Sequence, residues 1–193
     1  MTDTATADLS PTAARPRRGR RWVEWGVVVA VAVIVAVLVR AFLFQTFYIP
    51  STSMYPTLAA GDRIVVSKLS YHLHSVDRGD IVVFSRPPTE HCGGPPVPDL
   101  VKRVIGLPGD TISAQDGRVD IDGKPLAEPW LPKAASTYTG TFGPMKVPAG
   151  EYFVMGDNRV DSCDSRYWGP IERTTIVGKV VLRIWPLSHI HLF

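Results

Sequence analysis

A long apolar run and a polar region rich in glycine turns meet at Ile49-Pro50-Ser51-Thr52-Ser53-Met54-Tyr55-Pro56-Thr57-Leu58. Each proline fixes its own φ and disfavours a helical conformation in the preceding residue, so the segment is expected to be extended and stiff. Such a segment suits a serine nucleophile held beside a membrane. It is also typical of an ordinary linker rich in proline and hydroxyl side chains, and the flanking sequence has to decide between the two.

The apolar run before this segment extends from Trp25 to Phe44 and contains one charged residue, Arg40. A helix of this length would span roughly 30 Å, the thickness of a hydrocarbon core. No small-residue cleavage pattern follows the run, which disfavours a removed secretory signal. The run is also too long for a buried strand, and it is apolar all round, unlike a one-sided core helix. We therefore expect residues 22–44 to form a single transmembrane anchor.

Charge is distributed unevenly along the chain. Residues 1–21 hold five arginines and two aspartates, whereas the remaining residues balance at 16 basic and 16 acidic side chains. The basic start predicts a disordered cytoplasmic tail over residues 1–21, with residues 45–193 outside the cytoplasm. Nucleic-acid binding requires clustered Lys and Arg on the folded part, and the balanced charge disfavours it.

The region after the anchor alternates short runs rich in β-branched and aromatic residues with turns that contain glycine. The pattern predicts a mainly β, antiparallel domain over residues 45–193. Residues 85–99 carry five prolines and are expected to leave the sheet, and residues 127–146 form a second loop-rich stretch. The predicted strands centre on Ile64 to Val66, Ile81 to Phe84, Leu100 to Ile105, Arg118 to Ile121, Tyr152 to Met155 and Ile176 to Ile184.

Several common catalytic signatures are missing from the sequence. It contains no G-x-S-x-G, Walker A, H-E-x-x-H or G-x-G-x-x-G motif. Five histidines are present, and none stands beside a candidate nucleophile. The pairs His72/His74 and His189/His191 lack a nearby carboxylate or cysteine that would complete a metal site. We therefore predict no metal and no cofactor.

A serine nucleophile without a histidine needs another base, and lysine can serve when burial lowers its pKa. Lys102 lies in Leu100-Val101-Lys102-Arg103-Val104-Ile105. Both faces of such a strand are apolar, so alternation does not decide whether Lys102 or Arg103 points inward. Because arginine does not deprotonate in proteins, Lys102 is the candidate base. The alternative is an ordinary strand whose long charged side chains reach solvent.

A third segment, residues 156–169, is dense in Asp, Arg, Asn and Ser. One interpretation is a solvated loop whose charges pair weakly with one another. The other is a hydrogen-bond network that positions a catalytic base.

Together these segments resemble the bacterial type I signal peptidases, or leader peptidases, which are membrane-bound serine proteases with a Ser-Lys dyad. The resemblance covers residues 22 to about 185 and rests on four stretches in the family's order: 50–58, 61–66, 102–110 and 156–166. The chain departs from the family pattern at Thr52, where many relatives carry Gly, and at Cys163, where Ala is frequent.

The resemblance implies a role for eight residues. Ser53 would be the nucleophile and Lys102 the general base. The oxyanion hole would consist of the Ser51 hydroxyl and the backbone N–H of Ser53, and Ser162 would orient the lysine. The supporting charges would be Arg103, Asp157, Asp164 and Arg166.

The resemblance also implies the substrates and the location. It points to secreted preproteins with small residues at −1 and −3, and to a single-pass protein of the bacterial plasma membrane. It allows association with the secretion machinery. Two alternatives remain: a specialised peptidase for pilin or surface proteins, and a catalytically silent, membrane-tethered β domain that binds peptides. Cys92 and Cys163 could form a disulfide outside the cytoplasm or remain two thiols.

Overall fold

The computed structural model describes residues 18–93, 97–132 and 139–193. Most of the predicted N-terminal tail, residues 1–17, and parts of both proline-rich and loop-rich stretches lie outside these residues. The chain divides into two compact units, Met1–Val39 and Arg40–Phe193.

The first element is a helix, α1 (Arg18–Leu43), of 26 residues. It exposes most of its valines together with Trp22 and Trp25. Phe44, assigned to the anchor by the sequence, instead begins the first strand. Within the described part of the chain, no helix combines the length and the hydropathy that a membrane crossing requires. The transmembrane anchor over residues 22–44 stays a prediction.

The second unit contains two antiparallel sheets, which confirms the mainly β prediction. In the larger sheet the strands follow the order β1-β2-β11-β3-β4-β9-β10, and β12 pairs with β11. These strands are β1 (Phe44–Tyr48), β2 (Arg63–Ser67), β3 (Ile81–Ser85), β4 (Asp99–Gly106), β9 (Glu151–Met155), β10 (Ile171–Glu172), β11 (Ile176–Trp185) and β12 (His191–Leu192).

The smaller sheet has the order β7-β6-β5-β8. Its strands are β5 (Thr111–Gln115), β6 (Arg118–Ile121), β7 (Lys124–Pro125) and β8 (Phe142–Lys146), and two short helices complete the unit, α2 (Ser70–Leu73) and α3 (Ser165–Trp168). The stretch 127–146, expected to be loop-rich, ends in a strand that the sequence did not predict, because β8 pairs with β5 there. Gly143 and Pro144 are residues that disfavour a strand in sequence-based prediction. An edge strand such as β8 tolerates both.

The segment between β1 and β2, which carries Ser53, is not extended as predicted. Backbone hydrogen bonds from Tyr55 to Thr52 and from Leu58 to Met54, both 2.9 Å, close successive turns. Met54 and Leu58 are fully buried and pack in the cluster formed by β2, β3 and β11. Burial contributes about 1.5–3 kcal/mol for each side chain, which helps to hold the turns against the core. The segment is therefore anchored in the core directly after Ser53.

Candidate active site

The central contact joins Ser53, in the turns after β1, to Lys102 on β4. Lys102 Nζ donates a 2.7 Å hydrogen bond to Ser53 Oγ. Lys102 is only 4% exposed, and Arg103 is buried beside it, so both side chains point into the molecule. Burial lowers the pKa of Lys102 from 10.5 to about 8, while the nearby Asp164 carboxylate acts in the opposite direction. An amine with this pKa is partly neutral near pH 7 and can accept a proton.

A second hydroxyl lies next to this pair. Ser51 Oγ is 3.2 Å from Ser53 Oγ, and Ser51 is exposed at the surface. The contact places a hydrogen-bond donor beside the oxygen that would attack a substrate.

The backbone around Ser53 is fixed by the loop that follows β9. Asn158 N donates to Ser53 O over 3.0 Å. Asn158 Nδ2 donates to Thr52 O, and Thr52 Oγ1 donates to Asp161 Oδ2 over 2.7 Å. Thr52, which departs from the family pattern, therefore adds a side-chain contact between the two loops. The sequence did not assign a role to Asn158 or Asp161.

Two of the predicted supporting charges form a buried bidentate pair. Arg103 Nε and Nη2 donate to the two carboxylate oxygens of Asp157 over 2.8 and 2.6 Å. Asp157 is fully buried and also accepts a hydrogen bond from Thr57 Oγ1. Arg103 further donates to Gly79 O over 2.7 Å and stacks on the Trp130 ring. Each charge therefore has several hydrogen-bond partners, which offset the cost of burying the pair.

The other two supporting charges, Asp164 and Arg166, pair at the start of α3. Asp164 caps this helix and accepts from Arg166 Nε over 2.8 Å and Nη2 over 2.9 Å. The same carboxylate accepts from Gly156 N over 2.9 Å. The pair thus connects α3 to the glycine that begins the active-site loop.

Ser162 lies in the same loop, but the predicted bond to the lysine is not formed. Its hydroxyl is buried and has no hydrogen-bond partner among the described residues. It lies so close to Gly156 that a Cβ atom there would overlap Ser162 Oγ and the carbonyl oxygen of Ser53. The role of Ser162 in orienting Lys102 stays a prediction.

A cleft of about 350 Å³ opens at the Ser53–Lys102 pair. One side is formed by residues 47–54 and another by residues 99–102, so the end of β1 and the start of β4 flank the opening. Its apolar lining includes Phe47, Ile49, Val83, Leu100 and Val101.

The two cysteines also line this cleft, and their sulfur atoms are bonded to one another. The Cα atoms of Cys92 and Cys163 are 6.1 Å apart, within the range of native disulfides. The disulfide joins the loop after β3 to the loop that contains Ser162. Glu90 lies beside both sulfurs. Sulfur in a disulfide is not a thiolate, so this group offers a metal ion only one carboxylate.

Sequence reasoning missed several residues that hold the site. Glu128 and Thr139 bind Arg159, and Trp130 stacks on Arg103. All three come from the region expected to be loop, where no periodicity marks a buried side chain. The sequence could point to them only indirectly. Buried arginines require hydrogen-bond acceptors, and another part of the chain has to supply them.

The antiparallel β unit thus presents a serine hydroxyl, beside a buried lysine amine, at the opening of a cleft, as a serine hydrolase would. A family model described as signal peptidase, peptidase S26, matches residues 22–185. The chain belongs to this family, whose members are peptidases that cleave signal peptides, and the resemblance noted in the sequence is confirmed.

Two relatives agree with this assignment. Signal peptidase I of Leptolyngbya laminosa is 40% identical over 188 residues, covering 96% of this chain and 90% of that protein. Signal peptidase I T of Bacillus subtilis is 38% identical over 196 residues, covering 97% of each chain. A crystal structure of a signal peptidase I from Enterococcus faecalis is 34% identical and covers 55% of this chain and 97% of that chain, with a TM-score of 0.46.

Proposed function

We propose that this signal peptidase cleaves preproteins with a catalytic dyad of Ser53 and Lys102. The observation that carries the proposal is the 2.7 Å hydrogen bond between the buried amine and the serine hydroxyl. No histidine lines the cleft among the described residues, and the lysine is the neighbouring group whose pKa is lowered toward neutrality.

In the first half of the reaction, neutral Lys102 takes the proton from Ser53 Oγ. The oxygen then attacks the carbonyl carbon of the last signal-peptide residue, at position −1. The negative charge that develops on the carbonyl oxygen is stabilised by the Ser51 hydroxyl and the Ser53 N–H. One such donor typically contributes ~3 kcal/mol to the transition state.

In the second half, the Lys102 ammonium gives its proton to the leaving amine of the mature protein. An ester between Ser53 and the signal peptide remains. Lys102, neutral again, activates a water molecule that hydrolyses this ester and restores the serine hydroxyl.

The remaining predicted residues keep the dyad in place. The pairs Arg103–Asp157 and Asp164–Arg166 hold the loop that binds the Ser53 carbonyl. Ser162 has a buried hydroxyl without a partner among the described residues, so it is free to accept a hydrogen bond from the protonated lysine.

The cleft supports a substrate bound as an extended peptide. Strand β1 stands at the edge of the larger sheet, and an edge strand can pair with an incoming peptide backbone. The volume of about 350 Å³ and the apolar lining suit small apolar side chains. We propose that positions −1 and −3 of the preprotein carry them.

The first unit supports a membrane location. Its helix has exposed valines, arginines at its start and Trp22 and Trp25 shortly after them, a pattern that fits a single-pass anchor with a cytoplasmic N-terminus. The disulfide fits a catalytic unit outside the cytoplasm of a bacterial cell. An anchor in the plasma membrane would raise the concentration of enzyme near preproteins leaving the secretion machinery.

The test measures cleavage of a preprotein with Ala at −3 and −1 by the detergent-solubilised full chain. Ser53→Ala and Lys102→Met should each lower kcat at least a thousandfold. Ser188→Ala and Lys124→Met change the same residue types at exposed positions and should leave kcat unchanged. Cleavage by either dyad variant at the parental rate would exclude the dyad. Adding a pilin precursor to the substrates distinguishes a general peptidase from a specialised one.

A further inference from the structure

Three buried or partly buried arginines stand behind the dyad, and each is contacted by the region between β7 and β8. Trp130 stacks on Arg103, at 5.1 Å from the guanidinium carbon to the ring centroid. Glu128 and the Thr139 hydroxyl accept hydrogen bonds from Arg159. The Thr139 carbonyl accepts a hydrogen bond from Arg166 over 3.0 Å.

The contact between Glu128 and Arg159 is the most deeply buried of these. The side chains are 4% and 0% exposed, and both terminal nitrogens of Arg159 donate to the carboxylate. Arg159 Nη1 also donates to Thr139 Oγ1 over 3.0 Å, and its Nε donates to Gly156 O over 3.1 Å. The arginine therefore connects a side chain near the smaller sheet to the backbone of the active-site loop.

Gly156 is held on both sides of its backbone. Its N–H donates to Asp164 Oδ2, and its carbonyl accepts from Arg159. The glycine packs directly against the carbonyl oxygen of Ser53, and that same oxygen accepts from Asn158 N two residues further along. A movement of Gly156 therefore displaces the backbone of Ser53.

We propose that Glu128 is a positioning residue for the nucleophile: by fixing Arg159 it fixes Gly156, and through Gly156 the backbone of Ser53. The inference rests on the proposed Ser53–Lys102 dyad. Removing one partner of a buried ion pair leaves the other charge uncompensated, and Arg159 would then rearrange toward other acceptors. Displacements of about 1 Å in a catalytic group can cost roughly a hundredfold in rate.

The first experiment compares Glu128→Gln with the parent as full chains in detergent. The variant keeps the shape of the side chain and removes its charge. We expect kcat to fall at least tenfold, KM to stay within twofold, and the midpoint of the pH profile to stay unchanged, because the change acts on Ser53 and not on Lys102. Asp80→Asn is the matched control: Asp80 is a buried carboxylate paired with Lys179, and the variant should keep the parental kcat.

The second experiment separates positioning from stability. The double variant Glu128→Met/Arg159→Met replaces the ion pair with apolar side chains, a change that often preserves stability. We expect its Tm to recover relative to Glu128→Gln while kcat stays low, because Gly156 O has lost its donor. If Glu128→Gln does not fold, Thr139→Val removes one acceptor of Arg159 and should still lower kcat severalfold.

The outcomes are distinct. Parental kcat in Glu128→Gln, or recovery of kcat together with Tm in the double variant, overturns the positioning role. Parental activity in Ser53→Ala, measured in parallel, overturns the proposed dyad instead. An inactive Ser53→Ala variant beside a fully active Glu128→Gln variant contradicts the positioning role alone.

Discussion

The carboxylate of Asp164 raises the pKa of Lys102, against the stronger effect of burial, which lowers it. The result is a pKa of about 8 for the amine that contacts Ser53. This pKa suits the proposed base, because the amine is partly neutral near pH 7 and its ammonium, once formed by taking the Ser53 proton, can return that proton to the leaving group.

The pH dependence of cleavage follows from this pKa. Only neutral Lys102 can accept the serine proton, so kcat/KM should rise with pH and level off above about 8. At pH 7 about a tenth of the lysine is neutral, and each further unit of acidification should cost about tenfold. A profile of kcat/KM from pH 5 to pH 10 tests this expectation. A rate that stays level from pH 8 down to pH 6 contradicts a lysine base.

Burial of Lys102 should also reduce the stability of the protein at neutral pH. The amine has a pKa of about 8 in the folded protein and 10.5 when exposed, so the cost is complete below pH 8 and disappears as pH rises to 10.5. Lys102→Met should therefore be more stable than the parent at pH 7, by an upper bound of about 3 kcal/mol. The difference should shrink by pH 10.5. Urea unfolding at both pH values measures it, and a variant that is less stable at pH 7 refutes the expectation.

Gly156 should not tolerate a side chain. A methyl group there would overlap the Ser53 carbonyl and the Ser162 side chain, and a backbone atom cannot move aside cheaply. Gly156→Ala should lower kcat at least tenfold and destabilise the fold by about 1–3 kcal/mol. Gly143→Ala is the control, since Gly143 has open space around it. Equal kcat and unfolding curves for the two variants would show that the contact is unimportant.

The hydroxyl of Ser51 should matter more for turnover than for binding. It lies 3.2 Å from Ser53 Oγ, where it can donate to the oxyanion of the transition state. Ser51→Ala should lower kcat about a hundredfold with little change in KM. Ser51→Thr retains the hydroxyl and should recover much of the activity. A kcat for Ser51→Ala within twofold of the parental value would remove Ser51 from the oxyanion hole.

The disulfide between Cys92 and Cys163 should stabilise the catalytic unit and shape the cleft. It closes a loop between residues 71 positions apart, and loss of a native disulfide typically costs about 2–5 kcal/mol. Both cysteines line the cleft, so reduction should lower Tm and raise KM. The double variant Cys92→Ser/Cys163→Ser should show both effects already and no further response to reductant. Identical Tm values before and after reduction argue against the bond.

The sequence predicted the strands and motifs that can be recognised from residues close together in the chain. Short apolar runs between glycine turns located β2, β3, β4, β9 and β11 of the larger sheet and β6 of the smaller sheet, and four short stretches pointed to the family. These runs gave no sign of β1, β10 or β12. The structure brings Ser53 and Lys102 together, and it pairs Arg103 with Asp157 and Asp164 with Arg166. Lys102 and Arg103 are both buried, although neighbouring side chains of a strand point to opposite faces. Alternation could not predict this, since the partners of both side chains come from distant loops.

The parts that sequence reasoning missed depend on long-range packing. The segment at Ser53 turns although its prolines favour extension, and Met54 and Leu58 hold it against a core that distant strands form. Strand β8 contains Gly143 and Pro144 and is defined only by its pairing with β5. Glu128 has no local signal, since its importance comes from Arg159, 31 residues away.

The dyad and its surroundings are contributed by stretches of chain around residues 53, 102 and 160. An incomplete chain that ends before the last of these lacks the bond from Asn158 to the Ser53 carbonyl and half of the disulfide. A growing polypeptide of this protein should therefore have no peptidase activity until nearly all of it has been synthesised and folded.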